Sequence, residues 1–196
     1  GFILSIVVVS SLRILNLVEN YGAPLQTFNT VAQLEDLGQS LQSPINVCTG
    51  KEWYHFPASF FLPDSYRLRF VDSGFDGLLP GDFFELTNVI DSTTFIPKNM
   101  NNKNQFEKDK VIDLEHCHYY VDNSQLNSYP QLVYPNLSTT GKWEVITCNK
   151  MLDPNEKHST IGKLLYVPTW LRGIIPYDVG YMEFCLLKKQ DIEDTV

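Results

Sequence analysis

Basic charge is scarce in this sequence. Its 196 residues carry 15 Lys and Arg against 23 Asp and Glu, a net charge of −8. Binding along a phosphate backbone needs clustered cations, so general nucleic-acid binding is excluded. Charge of both signs is low, at 19% against about 25% in an ordinary soluble domain. The hydrophobic share of 43%, with 12 Phe, 10 Tyr and 3 Trp, is too apolar and too aromatic for a disordered chain. Eleven Gly and 11 Pro fall in no period, which excludes collagen and most low-complexity classes. There is no internal repeat. Enzyme signatures are equally sparse. No Gly-x-Gly-x-x-Gly and no Gly-x-Ser-x-Gly occurs, and Ile161-Gly162-Lys163 lacks the upstream glycine and loop length of a phosphate-binding loop. No Cys-x-x-Cys pair exists, which argues against zinc ribbons and thioredoxin-type redox sites.

What is present begins with an apolar run. The sequence opens at Gly1 rather than Met and continues Phe2-Ile3-Leu4-Ser5-Ile6-Val7-Val8-Val9. Such a start is expected of a segment lying inside a longer chain. Residues 1–18 as a helix would span about 27 Å, against a hydrocarbon core of about 30 Å. They are expected to form the end of a transmembrane helix, with Arg13 reaching for the membrane edge by its long stem. A signal peptide and a buried core helix are the competing readings; the first lacks a clear basic start and cleavage site. Residues 19–196 are expected to form one globular domain. Residues 14–50 hold no Lys or Arg but do hold Glu19, Glu35 and Asp36. Cytoplasmic flanks carry an excess of basic residues, so the domain is expected on the lumenal or extracellular side. Asn136-Leu137-Ser138 is an N-glycosylation acceptor in agreement with that side.

The domain reads as α+β, with a mixed or antiparallel sheet of about five strands and one clear helix. Asn29 or Thr30 is placed to cap a helix running to about Leu41, with Val31, Leu34, Leu37 and Leu41 at helical spacing. Strand-like runs bounded by Gly, Pro and Asn lie at 45–49, 66–71, 117–121, 143–148 and 181–187. In the second, Arg67 and Arg69 alternate with apolar residues and belong on an outer face. The Asn-rich stretch 98–105 reads as an exposed loop. Cys48, Cys117, Cys148 and Cys185 fit either two disulfides, in any of three pairings, or buried free thiols. His116 and His118 would share one face of a strand, with His55 or His158 as a remote third ligand. The spacing lacks the carboxylate–His pattern of a metal site, and no metal is expected.

One stretch stands apart, running from Gly50-Lys51-Glu52-Trp53-Tyr54-His55-Phe56-Pro57 to Phe60-Phe61-Leu62-Pro63. Aromatic faces beside hydrogen-bonding groups suit a sugar ring, whose faces are apolar and whose edges are hydroxyls. The Phe residues also read as core. Lys51, Glu52, Trp53, Tyr54 and His55 are the candidate substrate-binding residues.

This stretch resembles one family: the endoplasmic-reticulum, dolichyl-phosphate-mannose-dependent alpha-1,2-mannosyltransferases of N-glycan precursor assembly, within the C-type glycosyltransferases. Asn46-Val47-Cys48 before it, Leu68-Arg69-Phe70 and Gly77-Leu78-Leu79-Pro80 after it, Tyr21-Gly22-Ala23-Pro24-Leu25, and Cys117-His118-Tyr119-Tyr120-Val121-Asp122 extend the resemblance. Beyond residue 129 it is looser, though Tyr166-Val167-Pro168 fits. The resemblance implies a multi-spanning membrane enzyme. It moves mannose from dolichyl-phosphate-mannose to a dolichyl-diphosphate oligosaccharide, as the seventh and ninth mannoses. It implies an N-terminal membrane module of the same protein as partner, no cofactor and no nucleic acid. In that family the catalytic base lies in an early lumenal loop, so no residue here is assigned a catalytic role, and these residues alone are expected to be inactive. The alternatives are a structural or partner-binding lumenal domain, and the corresponding part of a glycolipid-anchor mannosyltransferase.

Overall fold

The computed structural model describes residues 1–34, 44–82, 84–124, 141–155 and 160–190. Asn136, His158, Glu35, Asp36, Leu37 and Leu41 lie outside the described residues.

The apolar opening forms one helix, α1 (Phe2–Tyr21). Its 20 residues are long and apolar enough to cross a membrane. Phe2, Ile3, Ile14 and Val18 are each at least 60% exposed, so α1 is not a covered core helix. Its buried residues are polar instead: Asn16 and Asn20. α1 stops at Gly22, where a Cβ would sit 2.7 Å from the Val18 carbonyl oxygen. The second helix, α2 (Ala23–Gln33), starts at once with Pro24 in its first turn, where a missing N–H costs nothing.

This corrects the expected helix start. Asn29 and Thr30 lie inside α2 rather than at its cap, and Thr30 Oγ1 donates to the Gln26 carbonyl at 3.0 Å. Gly22 and Pro24 set the boundary because they break and restart the helix. Leu34 already leaves the helix, with ψ at 94°.

The five expected strands all form: β1 (Ile45–Thr49), β2 (Tyr66–Phe70), β3 (Tyr119–Asn123), β4 (Trp143–Leu152) and β5 (Tyr181–Lys189). They make one mixed sheet in the order β2-β1-β3-β5-β4. β1 runs parallel to both β2 and β3, while β5 is antiparallel to β3 and β4. Two short helices, α3 (Val89–Thr93) and α4 (Thr160–Leu164), lie in the connections.

Period-two alternation splits the sheet into two covered faces. Ile45, Val47, Tyr119, Val121, Phe184 and Leu186 pack on one side with Phe28 and Val31 of α2. Cys48, Tyr120, Cys185 and Leu187 pack on the other with Cys117 and Trp143. Both faces of β3 are therefore inside, and every residue of it is buried. At the edge, Arg67 and Arg69 of β2 point outward as expected and pair with Glu85 and Asp82.

α1 is stitched to the domain through polar groups. Arg13 Nη1 donates to the Leu164 carbonyl at 2.8 Å, and Asn16 Nδ2 to the Lys163 carbonyl at 2.9 Å. The Tyr166 N–H donates to the Leu12 carbonyl at 3.0 Å. Asn20 donates to Asn16 at 2.6 Å and accepts from Tyr181 of β5 at 3.2 Å. Arg13 thus turns toward the carboxyl end of α4, where a helix leaves carbonyls for outside donors.

All four cysteines are bridged, Cys48 to Cys117 and Cys148 to Cys185. The first ties β1 to the entry of β3, and the second crosses between β4 and β5, where the two residues are register partners. Alkylating the protein after denaturation without reductant should leave all four cysteines unlabelled by mass. Label on any of them would contradict this pairing. Replacing Cys48 and Cys117 together by Ser should lower stability by about 2–4 kcal/mol, seen as a reduced Tm, because the bridge closes a long loop in the unfolded chain.

Candidate functional site at the carboxyl ends of β1 and β3

β1 and β3 are parallel, so their carboxyl ends open on the same edge of the sheet, where α/β proteins commonly build sites. β1 leaves the sheet at Gly50. A Cβ at this position would come within 2.9 Å of the buried Tyr120 hydroxyl and 3.2 Å of the Ser73 side chain, so a larger residue would push these groups aside. The next residues fold into a long 3-10 run, Trp53–Phe61, with Pro57 inside it.

Lys51 and Glu52 do not point to solvent. Glu52 is 3% exposed and sits at the centre of a polar lock. Its Oε2 accepts from the Tyr54 hydroxyl at 2.9 Å and lies 3.3 Å from His55 Nε2, while Oε1 accepts from Asn123 Nδ2. Lys51 Nζ lies 3.5 Å from Oδ1 of Asp122, which has no exposed side-chain surface. That same oxygen accepts the Asn123 backbone N–H at 2.8 Å. Tyr120 Oη donates to the other carboxylate oxygen at 3.4 Å.

Burial pushes the Asp122 carboxyl up to about 7, with Lys51 and the Asn123 N–H opposing and Glu52 reinforcing the rise. Burial, then the neighbouring carboxylates, also lifts the Tyr120 hydroxyl well above its ordinary range. The Tyr54 hydroxyl moves in the same direction, through burial and then Glu52.

The aromatic side chains are built on this lock. Trp53 lies against Phe75 with ring centroids 4.4 Å apart. Tyr54 is tilted over His55 at 4.4 Å, and His55 meets Phe184 of the core edge-on at 5.6 Å. Tyr54 remains 50% exposed. It borders a groove of about 290 Å³ with Tyr21, Leu25, His55 and Phe61. A wider groove of about 690 Å³ runs on the other side of the 3-10 run, past Phe56 and along Arg67, Arg69, Asp82 and Glu85. Arg67 pairs there with Glu85, and Arg69 with Asp82.

The five candidate residues therefore come together but divide in two. Glu52 is a buried support and Lys51 a largely covered one, whereas Trp53, Tyr54 and His55 form the partly open surface above them. Glu52 and Asp122 are too deeply covered to meet a substrate, so they act as supports for the rings above them. Sequence reading missed Asp122, Asn123, Tyr120 and Phe75. The available signal was the polar pair Asp122-Asn123 closing an apolar strand.

The metal reading changes too. His116 ends a 3-10 turn, Leu114–His116, and His118 precedes β3, so the two do not share a strand face. His118 Nδ1 accepts the Asn46 N–H at 3.0 Å, and the Asn46 side chain donates to the His116 carbonyl at 2.9 Å. These contacts fasten β1 to the entry of β3. Cys148, Glu183 and Cys185 cluster closely, but their sulfurs are bridged and offer no thiolate.

Comparison with known proteins gives a family and a set of relatives. Residues 1–63 match the Alg9-like mannosyltransferase family. The chain is 38% identical over 188 residues to alpha-1,2-mannosyltransferase ALG9 of Saccharomyces cerevisiae, covering 90% of this chain and 33% of that protein. It is 32% identical over 181 residues to alpha-1,2-mannosyltransferase Alg9 of Drosophila melanogaster, covering 91% and 27%. The human ALG9 is 38% identical over 126 residues, covering 64% and 20%. The chain thus spans a third or less of the length of these curated relatives. No solved structure matches it.

Asp122 makes stability depend on pH. An unfolded Asp titrates near 4, roughly. With its folded value raised to about 7, the native state keeps a proton that the unfolded state releases between these limits. Stability should then fall as pH rises through that window and level off above it. Asp122→Asn should flatten this slope in a series of Tm values from acid to neutral pH. An unchanged slope in the variant would assign the dependence to other groups.

Proposed function

The chain is a relative of the Alg9-like mannosyltransferase family, and from this kinship we propose that it is the lumenal C-terminal part of an endoplasmic-reticulum alpha-1,2-mannosyltransferase. Residues 1–18 end the last transmembrane helix, and residues 19–196 form the lumenal domain. The whole protein takes mannose from dolichyl-phosphate-mannose and adds the seventh and ninth mannoses to the dolichyl-diphosphate oligosaccharide of N-glycosylation. The activity named for the relatives, the exposed apolar α1 and the basic-free flank from 14 to 50 support this reading.

The domain's part is to position the acceptor. Trp53 and Tyr54 lie beside the glycan, with His55 offering a hydrogen bond and Lys51 and Glu52 holding the loop from beneath. The observation that carries this is Tyr54: half open beside a groove, on a backbone locked by a buried carboxylate. Pre-ordered aromatic rings bind with little entropy loss, and orientation alone contributes several kcal/mol to transfer. For Lys51 and Glu52, burial favours a scaffolding role over direct sugar contact. Asn136 is the glycan acceptor of the domain itself.

Tyr54 separates sugar contact from packing. In the full enzyme, Tyr54→Ala should raise acceptor KM roughly tenfold, equivalent to about 1.4 kcal/mol, with folded yield near wild type. Tyr54→Phe keeps the ring and loses one hydrogen bond to Glu52, so its KM should stay close to wild type. Equal KM values for all three proteins would remove Tyr54 from the acceptor site.

Topology is checked separately. In sealed microsomes bearing the full protein, residues 44–190 should resist added protease until detergent opens the vesicles. Cleavage within them before detergent would place the domain on the cytoplasmic side.

A further inference from the structure

We propose that residues 160–175 form a second membrane contact, lying in the bilayer interface beside α1 and facing phospholipid. The proposal rests on α1 being a membrane helix. The segment comprises α4, a short linker and the 3-10 turn Thr169–Leu171. Its outward side chains are large and apolar: Ile161 at 49%, Leu164 at 52%, Trp170 at 76% and Ile174 at 81% exposed.

Position along α1 is the first argument. The segment is fastened beside the helix by the Tyr166 N–H to the Leu12 carbonyl, Arg13 to Leu164 and Asn16 to Lys163. At this same level the rest of the helix surface is apolar and open. Ile14, Leu15, Leu17 and Val18 are 60, 46, 44 and 61% exposed. These side chains cannot lie in lipid while a segment hydrogen-bonded to the same turns stands well clear of it, because the turns from 12 to 18 rise only about 9 Å. The domain therefore meets the membrane along 160–175.

Composition is the second argument. In a chain of net charge −8, residues 160–175 contain no Asp or Glu, and their charged residues are Lys163 and Arg172. Exposed Trp with aliphatic side chains and no acidic residue is the chemistry of the bilayer interface. Local structure holds the apolar side chains outward. Arg172 is turned inward, with Nε donating to the Val167 carbonyl at 2.9 Å and the guanidinium 4.1 Å from the Tyr177 ring centre. Trp170, two residues earlier, is left on the outside.

Site-directed fluorescence on the full protein in phosphatidylcholine–phosphatidylserine nanodiscs tests this. Four single variants, Trp170→Cys, Ile174→Cys, Val8→Cys and Lys98→Cys, are labelled with a small fluorophore without reductant, so the native bridges persist. Each is challenged with a lipid carrying a nitroxide near its headgroup, and separately with aqueous iodide. Probes at 170 and 174 should lose fluorescence to the lipid nitroxide and resist iodide, while the probe at 98 does the reverse. Iodide quenching at 170 and 174 equal to that at 98 would overturn the proposal. So would protection from both quenchers, which would mean that another part of the protein covers the segment. The probe at 8 keeps the two readings apart. If the lipid nitroxide quenches it while 170 and 174 stay in water, only the second contact fails. If iodide quenches it, α1 itself is not in the membrane. Should Trp170→Cys fail to accumulate, Ile174→Cys carries the same test alone.

Discussion

Two carboxylates, Glu52 and Asp122, are taken out of water at the ends of two parallel strands, and the aromatic loop depends on how they are compensated. Removing one such ion from water costs several kcal/mol unless specific partners replace the solvent. Here the partners come from the loop and from β3: Lys51, Tyr54, His55, Tyr120 and Asn123. Satisfying the charges therefore fixes the path of residues 50–55. Trp53 and Tyr54 inherit their placement from a buried electrostatic arrangement, and no packing of their own would orient them as tightly. The cost falls on Asp122, whose carboxyl is pushed up by burial despite Lys51 beside it.

The polar face of α1 has a related role. Asn16 and Asn20 would be expensive in lipid, but both are covered by the domain and hydrogen-bonded. Through Tyr181, Asn20 reaches β5 in the middle of the sheet. Helix and sheet are joined by bonds on both sides of Gly22, so this glycine marks a corner of the backbone and has no freedom to act as a hinge. A displacement of α1 would be felt directly at the sheet.

Local signals were legible in the sequence and non-local ones were not. Alternation and turn residues located all five strands, although the third starts at Tyr119, two residues later than its pattern suggested. Cys117 and His118 continue the apolar-polar alternation, yet the 3-10 turn before them delays pairing. The helix after α1 was misplaced because helical spacing at Val31 and Leu34 outweighed Gly22 and Pro24, which actually set its start. The composition of Lys51–His55 drew attention to the site. Asp122 and Asn123 come from a strand 70 residues away, and only the parallel pairing of β1 with β3 brings them in. Cysteine pairing was hidden for the same reason: Cys48 meets Cys117 across a separation of 69 residues.

Among the described strands β5 comes last in sequence, yet it lies between β3 and β4. During synthesis, β1, β2 and β3 emerge with one edge of β3 unpaired, and β4 has no neighbour at all until residues 181–189 arrive. The sheet therefore closes only after residues 181–189 have been made, in the slow, long-range manner that leaves strand edges exposed to aggregation. A stop codon before Tyr181 would remove a central strand, one half of a disulfide and the partner of Asn20 together. A truncation ahead of residue 181 is thus a loss of the fold and not a trimmed end.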